Sequence, residues 1–190
     1  MTLTEHIESL VGQITEGWST DEDGKKLPFM VVRTASGPLP ACCTYSTLGV
    51  SDVPLSSSAS RKMIRQEFCI VVRNDQQLLG VAGILQQVGL MTLASETAVL
   101  RGQLIGPFGE LFAGSKMEAL YSAIPVYFPR EFAQCDDARL GSVVFTWLVP
   151  ISAQEARFTQ ELGWQRLEDA FMERNPDLAD VFRDELNLSS

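Results

Sequence analysis

The stretch Phe145-Thr146-Trp147-Leu148-Val149-Pro150-Ile151-Ser152-Ala153-Gln154-Glu155 joins an apolar run directly to the start of a helix. Residues 142–149 are almost wholly apolar, which predicts a strand that is covered on both faces. Ser152 and Glu155 stand three positions apart, the spacing of a capping box, and predict a helix N-terminus. The helices expected after the strand span residues 152–162, 164–174 and 176–185. The stretch therefore predicts a layer of sheet against helix.

The rest of the chain alternates between short strands and two further helices. Strands are predicted at residues 29–33, 42–47, 67–73, 102–107 and 119–124. Amphipathic spacing predicts a helix over 4–16, and another that follows Asn74-Asp75 and includes Leu78, Val81, Leu85 and Val88. We expect one domain over 1–190, with an N-terminal helix and loop (1–27), a sheet-rich core (28–151) and C-terminal helices (152–190).

The composition indicates a globular protein of the cytoplasm. Apolar residues make up 45% of the 190 positions and charged residues 21%. No apolar run reaches the roughly 18 residues that cross a bilayer, and the N-terminus has no signal-peptide pattern. Four cysteines, Cys42, Cys43, Cys69 and Cys135, show no metal-ligand spacing, so we expect reduced, buried thiols and no metal site. Adjacent Cys42 and Cys43 are expected on opposite faces of a strand.

The net charge of −9 is concentrated at the two ends of the chain. Residues 1–26 carry a net charge of −4 and residues 155–190 a net charge of −5, while the segment between them is neutral. Nucleic-acid binding is disfavoured, because phosphates require a basic face. A basic protein partner is compatible with this distribution, and so is an acidic face that only aids solubility.

Motifs for catalysis are missing from the sequence. The single histidine, His6, falls away from the apolar stripe of its predicted helix, and no phosphate loop or nucleophile elbow occurs. We therefore expect no enzyme and no cofactor. Aromatic loops and acidic helices favour a binding module instead. The candidate protein-binding residues are Tyr127 in the aromatic loop 125–135 and three acidic residues of the predicted helix 164–174: Glu168, Asp169 and Glu173.

Three groups of segments, in this order, resemble the suppressor-of-fused-like family in its bacterial single-domain form. The first group is 44–55 (TYSTLGVSDVPL) with 65–68 (RQEF), and the second is 102–107 (GQLIGP) with 120–125 (LYSAIP). The third is 147–151 (WLVPI), with Glu155 and then 180–183 (DVFR). The resemblance covers roughly residues 28–184.

The resemblance implies an α+β fold, with a mixed, largely antiparallel sheet and helices packed on it. It also implies a binding protein and not a catalyst. The eukaryotic relative restrains a zinc-finger transcription factor through peptide binding that involves a second domain, which this chain is too short to contain. Many bacterial members look like immunity proteins, so the expected partner is a protein, for example a basic toxin domain.

Two alternatives stay open at this point: an enzyme with a reactive thiol at Cys42, Cys43 or Cys135, and an assembly component that adds strands at a sheet edge. Within the resembling motifs, Gly49 is expected at a positive φ. Glu67 is expected to pair with Arg33 or Arg73. Arg183 is expected to dock the last helix on sheet carbonyls or a carboxylate.

Overall fold

The computed structural model describes residues 1–60, 62–76 and 80–188. Within these residues, nine strands form one sheet and four α-helices pack on it. The strands are β1 (Ile14–Thr20), β2 (Lys26–Thr34), β3 (Cys42–Leu48), β4 (Leu55–Ser56), β5 (Met63–Arg73), β6 (Leu104–Ile105), β7 (Met117–Ala123), β8 (Gln134–Asp137) and β9 (Gly141–Ser152). The helices are α1 (Leu3–Leu10), α2 (Val81–Ser95), α3 (Ala153–Leu162) and α4 (Trp164–Arg174).

The sheet is mixed and mainly antiparallel. Its strand order is β1-β2-β3-β5-β9-β7-β6, with β4 paired to β5 and β8 paired to β9. The parallel pair of strands is β5 with β9, in a register that runs from Arg65 opposite Val143 to Cys69 opposite Trp147. The predicted α+β class, with helices packed on a largely antiparallel sheet, is therefore confirmed.

Strand β9 is longer than predicted and contains Pro150. Its pairing with β5 ends at Trp147, whereas its pairing with β7 continues past Pro150 to Ser152. At Pro150 the strand is thus paired with β7 on one side and is no longer paired with β5 on the other. A strand that is paired on one side only resembles an edge strand, where a sheet tolerates proline. The strand is covered on both faces, as predicted, because Trp147 and Leu148 belong to the two opposite cores.

The capping box at the start of α3 is confirmed. The Ser152 hydroxyl accepts a hydrogen bond from the Glu155 amide (3.2 Å), and the Glu155 carboxylate accepts one from the Ser152 amide (3.0 Å). These two bonds satisfy N–H groups that the first turn of the helix would otherwise leave unpaired. Helix α4 has the bounds that the sequence predicts, and α3 begins one residue later than predicted, at Ala153, with Ser152 as its N-cap.

The predicted helix 176–185 is wrong. This segment forms turns, in which the Asp177 carboxylate accepts a hydrogen bond from the Ala179 amide and the Asp180 carboxylate one from the Phe182 amide. Aspartate side chains that bond to amides two residues ahead offer the backbone an alternative to a helix. Leu178, Val181 and Phe182 have the apolar spacing of a helix, but they lie within these turns.

The predicted helix over 4–16 is too long, and the expected exposure of His6 is wrong. Helix α1 ends at Leu10, Gly12 follows at a φ of +133°, and strand β1 begins at Ile14. The His6 side chain is buried, with its Nε2 3.2 Å from the Phe132 carbonyl oxygen and its ring stacked on Phe132 and Phe145. The aromatic loop covers His6, and a helical wheel of α1 alone could not show this.

The two faces of the sheet carry different helices. Ile7 of α1, Ala156 of α3 and Leu167 of α4 pack into one core, and Val81, Leu85 and Val88 of α2 pack into the other. Cys42 and Cys43 point into these two different cores, as predicted. Leu78, which the sequence places on the stripe of α2, lies outside the described residues, and α2 begins at Val81.

Candidate functional site

A pocket of about 180 Å³ opens between strands β7 and β9 and helix α4. Its residues come from these three elements, from the segment that follows β7, from Arg101 before β6 and from Leu178 in the C-terminal turns. Most of them are apolar. The lining residues are Arg101, Tyr121, Ala123, Ile124, Val126, Trp147, Val149, Glu168, Phe171, Met172 and Leu178.

One wall of the pocket is a polar network centred on Glu168. The Glu168 carboxylate accepts hydrogen bonds from the Tyr121 hydroxyl (2.7 Å) and from Nε of Arg101 (3.0 Å), and a second nitrogen of Arg101 also contacts it. The Arg101 guanidinium lies over the ring of Trp164, 4.7 Å from its centroid. Burial, followed by the bond to Glu168, raises the pKa of Tyr121 above its ordinary range. The half-buried Glu168 is thus held in place by two partners.

The indole of Trp147 forms another wall. Trp147 is 1% exposed, and its Nε1 has no hydrogen-bond partner among the described residues. The Tyr127 ring packs on it with 4.6 Å between centroids, while the Tyr127 hydroxyl accepts a hydrogen bond from the Leu178 amide (3.3 Å). Buried indole N–H groups ordinarily find an acceptor, and the unpaired Nε1 of Trp147 is itself inaccessible to solvent.

The rim of the pocket is apolar and exposed. Val126 is 71% exposed and Met172 74%, and Ile124 stands beside them at 45%. Large apolar side chains that cluster at a pocket mouth are typical of a surface that binds another protein. The pocket volume lies below the roughly 300 Å³ at which small-molecule sites begin. Its size and rim suit one apolar side chain.

The four residues predicted to bind a partner do not share one site. Glu168 lines the pocket and Tyr127 packs behind it on the Trp147 ring, whereas Asp169 and Glu173 line a separate groove of about 390 Å³. That groove runs between α3, α4 and the C-terminal segment, and it also contains Phe158, Leu162, Arg166, Ala170, Arg174, Asn187 and Leu188. Asp169 and Glu173 are exposed.

Glu168 is the one lining residue that the sequence prediction selected, and the residues that it missed include Trp147, Val126 and Met172. Trp147 was correctly placed in the core, but its contact with a pocket depends on where α4 lies. Val126 follows Pro125 directly in the aromatic loop, and Met172 falls off the Trp164, Leu167, Phe171 face of α4. The one sequence signal for these pocket residues was the position of Met172, a methionine outside the apolar face of its helix.

Glu67 has a different environment from the one predicted. It is buried, its Oε1 accepts bonds from the Gly49 amide (2.8 Å) and from the amide and hydroxyl of Ser51, and its Oε2 accepts one from the Thr47 hydroxyl. The predicted partners are bonded elsewhere, Arg33 to Glu16 and Arg73 to Asp177. Burial raises the pKa of the Glu67 carboxyl, and these hydrogen bonds oppose the rise.

The bonds to Glu67 hold the turn that follows β3. Gly49 takes the positive φ expected of it, +111°, and an added Cβ there would lie 3.3 Å from Phe29. The carboxylate faces the amides at the start of the short 3₁₀ turn Val50–Asp52, so it serves as a cap from a neighbouring strand. Glu67 therefore has a structural role in this turn.

The cysteines are arranged as buried, unlinked thiols. All four are free and buried, and burial raises the pKa of Cys42, Cys69 and Cys135. Among the described residues, no group of three or more histidine, cysteine, aspartate or glutamate side chains is placed to hold a metal ion. In the same part of the chain, no helix combines the length and the apolar character needed to cross a membrane.

The fold and the pocket define an α+β protein with a mixed sheet, helices on both faces and an apolar cleft against α4. The model of the Suppressor of fused protein (SUFU) family matches residues 25–184. The chain therefore belongs to the Suppressor of fused family, as the ordered motifs of its sequence indicated.

Solved structures have the same fold at low sequence identity. A putative SUFU homologue from Neisseria gonorrhoeae FA 1090 is 19% identical with a TM-score of 0.71, over 99% of this chain and 94% of that one. The Sufu–Fu complex matches at 14% identity and a TM-score of 0.63, over 83% of this chain and 78% of the other. Drosophila Suppressor of Fused matches at 16% identity and a TM-score of 0.63, over 83% of this chain but 42% of its own. No curated protein matches the sequence.

Proposed function

We propose that the chain is a non-catalytic protein-binding module, a single domain over residues 1–190, that receives an apolar side chain of its partner in the pocket against α4. The observation that carries this proposal is the exposed apolar rim of Val126 and Met172 around a small apolar pocket. Buried pockets filled by one anchor side chain supply a large part of the energy of many protein interfaces. The Sufu–Fu complex, in which a member of this family was solved with a partner, supports the same function.

The partner that we propose is basic, and the role that we propose is that of a cytoplasmic immunity protein which neutralises a toxin. The acidic ends of the chain supply helices α1, α3 and α4, which pack on the same face of the sheet as the pocket. Asp169 and Glu173 are exposed on the same helix, α4, where they line the separate groove. Acidic groups around an apolar centre steer a basic partner and raise its association rate.

The thiol-dependent enzyme has little support. A thiol acts as a nucleophile in its ionised form, and burial disfavours that form at Cys42 and Cys135. Cys43 is buried as well. The binding module remains the function that the geometry favours.

The test has two arms. In the first, the tagged chain captures proteins from its cell of origin, and Met172→Glu and Val126→Glu are expected to lose the captured protein. Leu162→Glu, which places the same charge at an exposed apolar position of the separate groove, is the matched control and should retain it. Capture that survives both rim substitutions but fails with the control would move the binding site to that groove.

The second arm tests the immunity role. The captured protein, or the product of the neighbouring gene, is expressed with and without this chain while growth is measured. We expect growth to stop without the chain and to recover with it, but not with Met172→Glu. A captured protein that is harmless alone would remove the immunity role and leave protein binding in place.

A further inference from the structure

Within the described residues, strand β9 has no paired strand on one side at Phe145 and Thr146. Strand β7 pairs with β9 as far as Trp147, and β8 pairs with it from Val144 onward, so a notch separates the two neighbours. A second pocket, of about 270 Å³, opens at this notch. We call it the notch pocket. Its volume, like that of the pocket against α4, lies below the range of small-molecule sites and suits one side chain.

The walls of the notch pocket favour an apolar occupant. Ala123 at the end of β7 and Ala133 just before β8 both line it, and their small side chains leave it open. The Gln66 carboxamide, which also lines it, donates to the Val99 carbonyl (2.7 Å) and to the Thr146 hydroxyl, and it accepts the Val99 amide (3.0 Å). These polar groups are thus bonded within the protein, and an apolar side chain is the occupant that leaves their bonds in place.

A ridge formed by residues 124–126 separates the two pockets. Ile124 lines both of them, Pro125 lines the notch pocket, and Val126 lines the pocket against α4. The ridge is a tight turn, in which the Val126 amide donates to the Ile124 carbonyl (2.8 Å) and the Phe128 amide donates to the Pro125 carbonyl (3.1 Å). Ile124 and Val126 are exposed. The two pockets are therefore adjacent, and a single segment that crosses the ridge reaches both.

Arg101 lines both pockets and is held in place beside the ridge. Two of its nitrogens contact Glu168, and its guanidinium lies over the Trp164 ring. Gly102 lies close to the same ring, because an added Cβ there would collide with it. The third nitrogen, Nη1, has no hydrogen-bond partner in the described part of the chain. A charged donor that is already fixed can bond an oxygen of the partner with little further loss of side-chain freedom.

We propose that the partner segment that fills the pocket against α4 crosses the ridge and places a second apolar side chain in the notch pocket. A main-chain carbonyl between the two side chains accepts a hydrogen bond from Nη1 of Arg101. The carbonyls inside a helix are already bonded to its own amides, so the segment is extended. The partner is thus recognised by two apolar side chains that flank one free carbonyl. This inference rests on the proposed function, because it extends the same binding site.

The test measures the affinity of the full chain for the protein that it captures, after that protein has been purified. Ala133→Leu adds bulk inside the notch pocket and should weaken binding at least about tenfold. Ala170→Leu, the same change at another half-buried alanine, lies in the separate groove and is the matched control, which should bind normally. Arg101→Lys retains a positive charge beside Glu168 but loses the planar fork, so it should weaken binding several-fold.

Substitutions in the partner provide a readout that leaves this chain intact. Overlapping synthetic peptides of the captured protein locate the bound segment, and alanine substitution in that segment should find two apolar residues that each cost at least about tenfold in affinity. One of the two should lose its effect when it is measured against Ala133→Leu, while the other keeps it. A segment with a single important apolar residue overturns the proposal.

The rim variants distinguish this proposal from the proposed function. Binding that is lost with Met172→Glu but normal with Ala133→Leu restricts the site to the pocket against α4. That result overturns the second anchor and leaves the proposed function in place. Binding that survives both Met172→Glu and Val126→Glu removes the proposed function, and the second anchor with it.

Discussion

Arg183 and Glu155 form a buried bidentate ion pair, with Nη1 2.6 Å from Oε1 and Nη2 2.7 Å from Oε2. The same carboxylate accepts the Ser152 amide in the capping box and the Leu186 amide (3.1 Å) from the C-terminal segment. Nη2 of Arg183 also lies 3.4 Å from the Pro150 carbonyl oxygen. One acidic side chain thus joins the end of β9, the start of α3 and the C-terminal turns. The predicted docking of Arg183 on a carboxylate is confirmed, although the segment that contains it is not a helix.

Arg183→Met should destabilise the protein by about 3–5 kcal/mol, because it leaves the Glu155 carboxylate buried without a cation. The measurement is the free energy of unfolding from urea titration, followed by circular dichroism. Glu155→Gln combined with Arg183→Met should recover part of the loss, since the double variant buries no unpaired charge.

Lys116 supplies the control for this prediction. It pairs with Asp184 at the surface, where solvent screens the interaction, so Lys116→Met should leave the free energy of unfolding unchanged. If Arg183→Met and Lys116→Met lowered the free energy of unfolding equally, burial would not increase the contribution of the Arg183–Glu155 pair to stability. A double variant no better than Arg183→Met would contradict the explanation by unpaired charge.

Alanine at the two interior glycines of α2 should have opposite effects on the stability of the protein. Gly83→Ala should stabilise it by about 1 kcal/mol through helix propensity alone. Gly89→Ala should destabilise it by about 1–3 kcal/mol, because the methyl group overpacks the contact with Phe29. Thermal unfolding measures both. If Gly89→Ala also stabilised the protein, the close packing of α2 on the sheet would be wrong.

Glu67→Gln should change how stability depends on pH. The ordinary pKa of a glutamate carboxyl is 4.5, and burial raises that of Glu67 in the folded protein. A raised folded-state pKa gives stability that is fully present below the unfolded-state pKa and is lost as the pH rises through the folded-state pKa. Glutamine does not ionise, so the variant should gain free energy of unfolding relative to the wild type as the pH rises above about 4.5.

Glu5→Gln gives the opposite sign and serves as the control. A hydrogen bond from the Thr2 backbone lowers the pKa of the exposed Glu5 carboxyl, so its contribution is present at neutral pH and is lost as the pH falls. This variant should therefore lose stability relative to the wild type as the pH rises. Urea titrations of the three proteins between pH 4 and pH 8 give both differences. Parallel curves for Glu67→Gln and the wild type would mean that Glu67 has an ordinary pKa when folded.

Predictions from the sequence were most reliable for features that depend on a few adjacent residues. The capping box of Ser152 and Glu155, the αL glycine Gly49 and the bounds of α4 each depend on a few adjacent residues, and each was predicted correctly. The predicted helix 176–185 failed because Asp177 and Asp180 bond to nearby amides, a choice that apolar spacing does not reveal.

The pocket could not be predicted, because its parts meet only in the folded chain. Trp147 was placed correctly in the core, but its neighbours Val126 and Met172 come from a loop and a helix that are distant in sequence. Glu168 was selected for its charge, and charge alone did not reveal that Arg101 and Tyr121 hold it. The spacing of neighbouring residues does not show which distant segments of the chain come into contact.

The thiols should be unreactive in the folded protein. All four cysteines are buried, and burial raises the pKa of three of them, Cys42, Cys69 and Cys135, which leaves little thiolate at neutral pH. Reaction with a disulfide reagent should be slow in buffer and rapid in urea, where all four should react. One thiol that reacts quickly in the folded chain would restore the thiol-dependent enzyme as a candidate.

Glu168 and Asp169 are adjacent on α4 but should differ in what they contribute. Glu168→Gln should cost about 1 kcal/mol of unfolding free energy, because its charge is held by Arg101 and by the Tyr121 hydroxyl. Asp169→Asn should leave stability unchanged, since Asp169 is exposed, and should instead weaken binding of a basic partner by slowing association at low salt. Urea titration and binding kinetics at two salt concentrations separate the two roles. A loss of stability with Asp169→Asn, or an association rate unaffected by it at low salt, would remove Asp169 from the proposed interface.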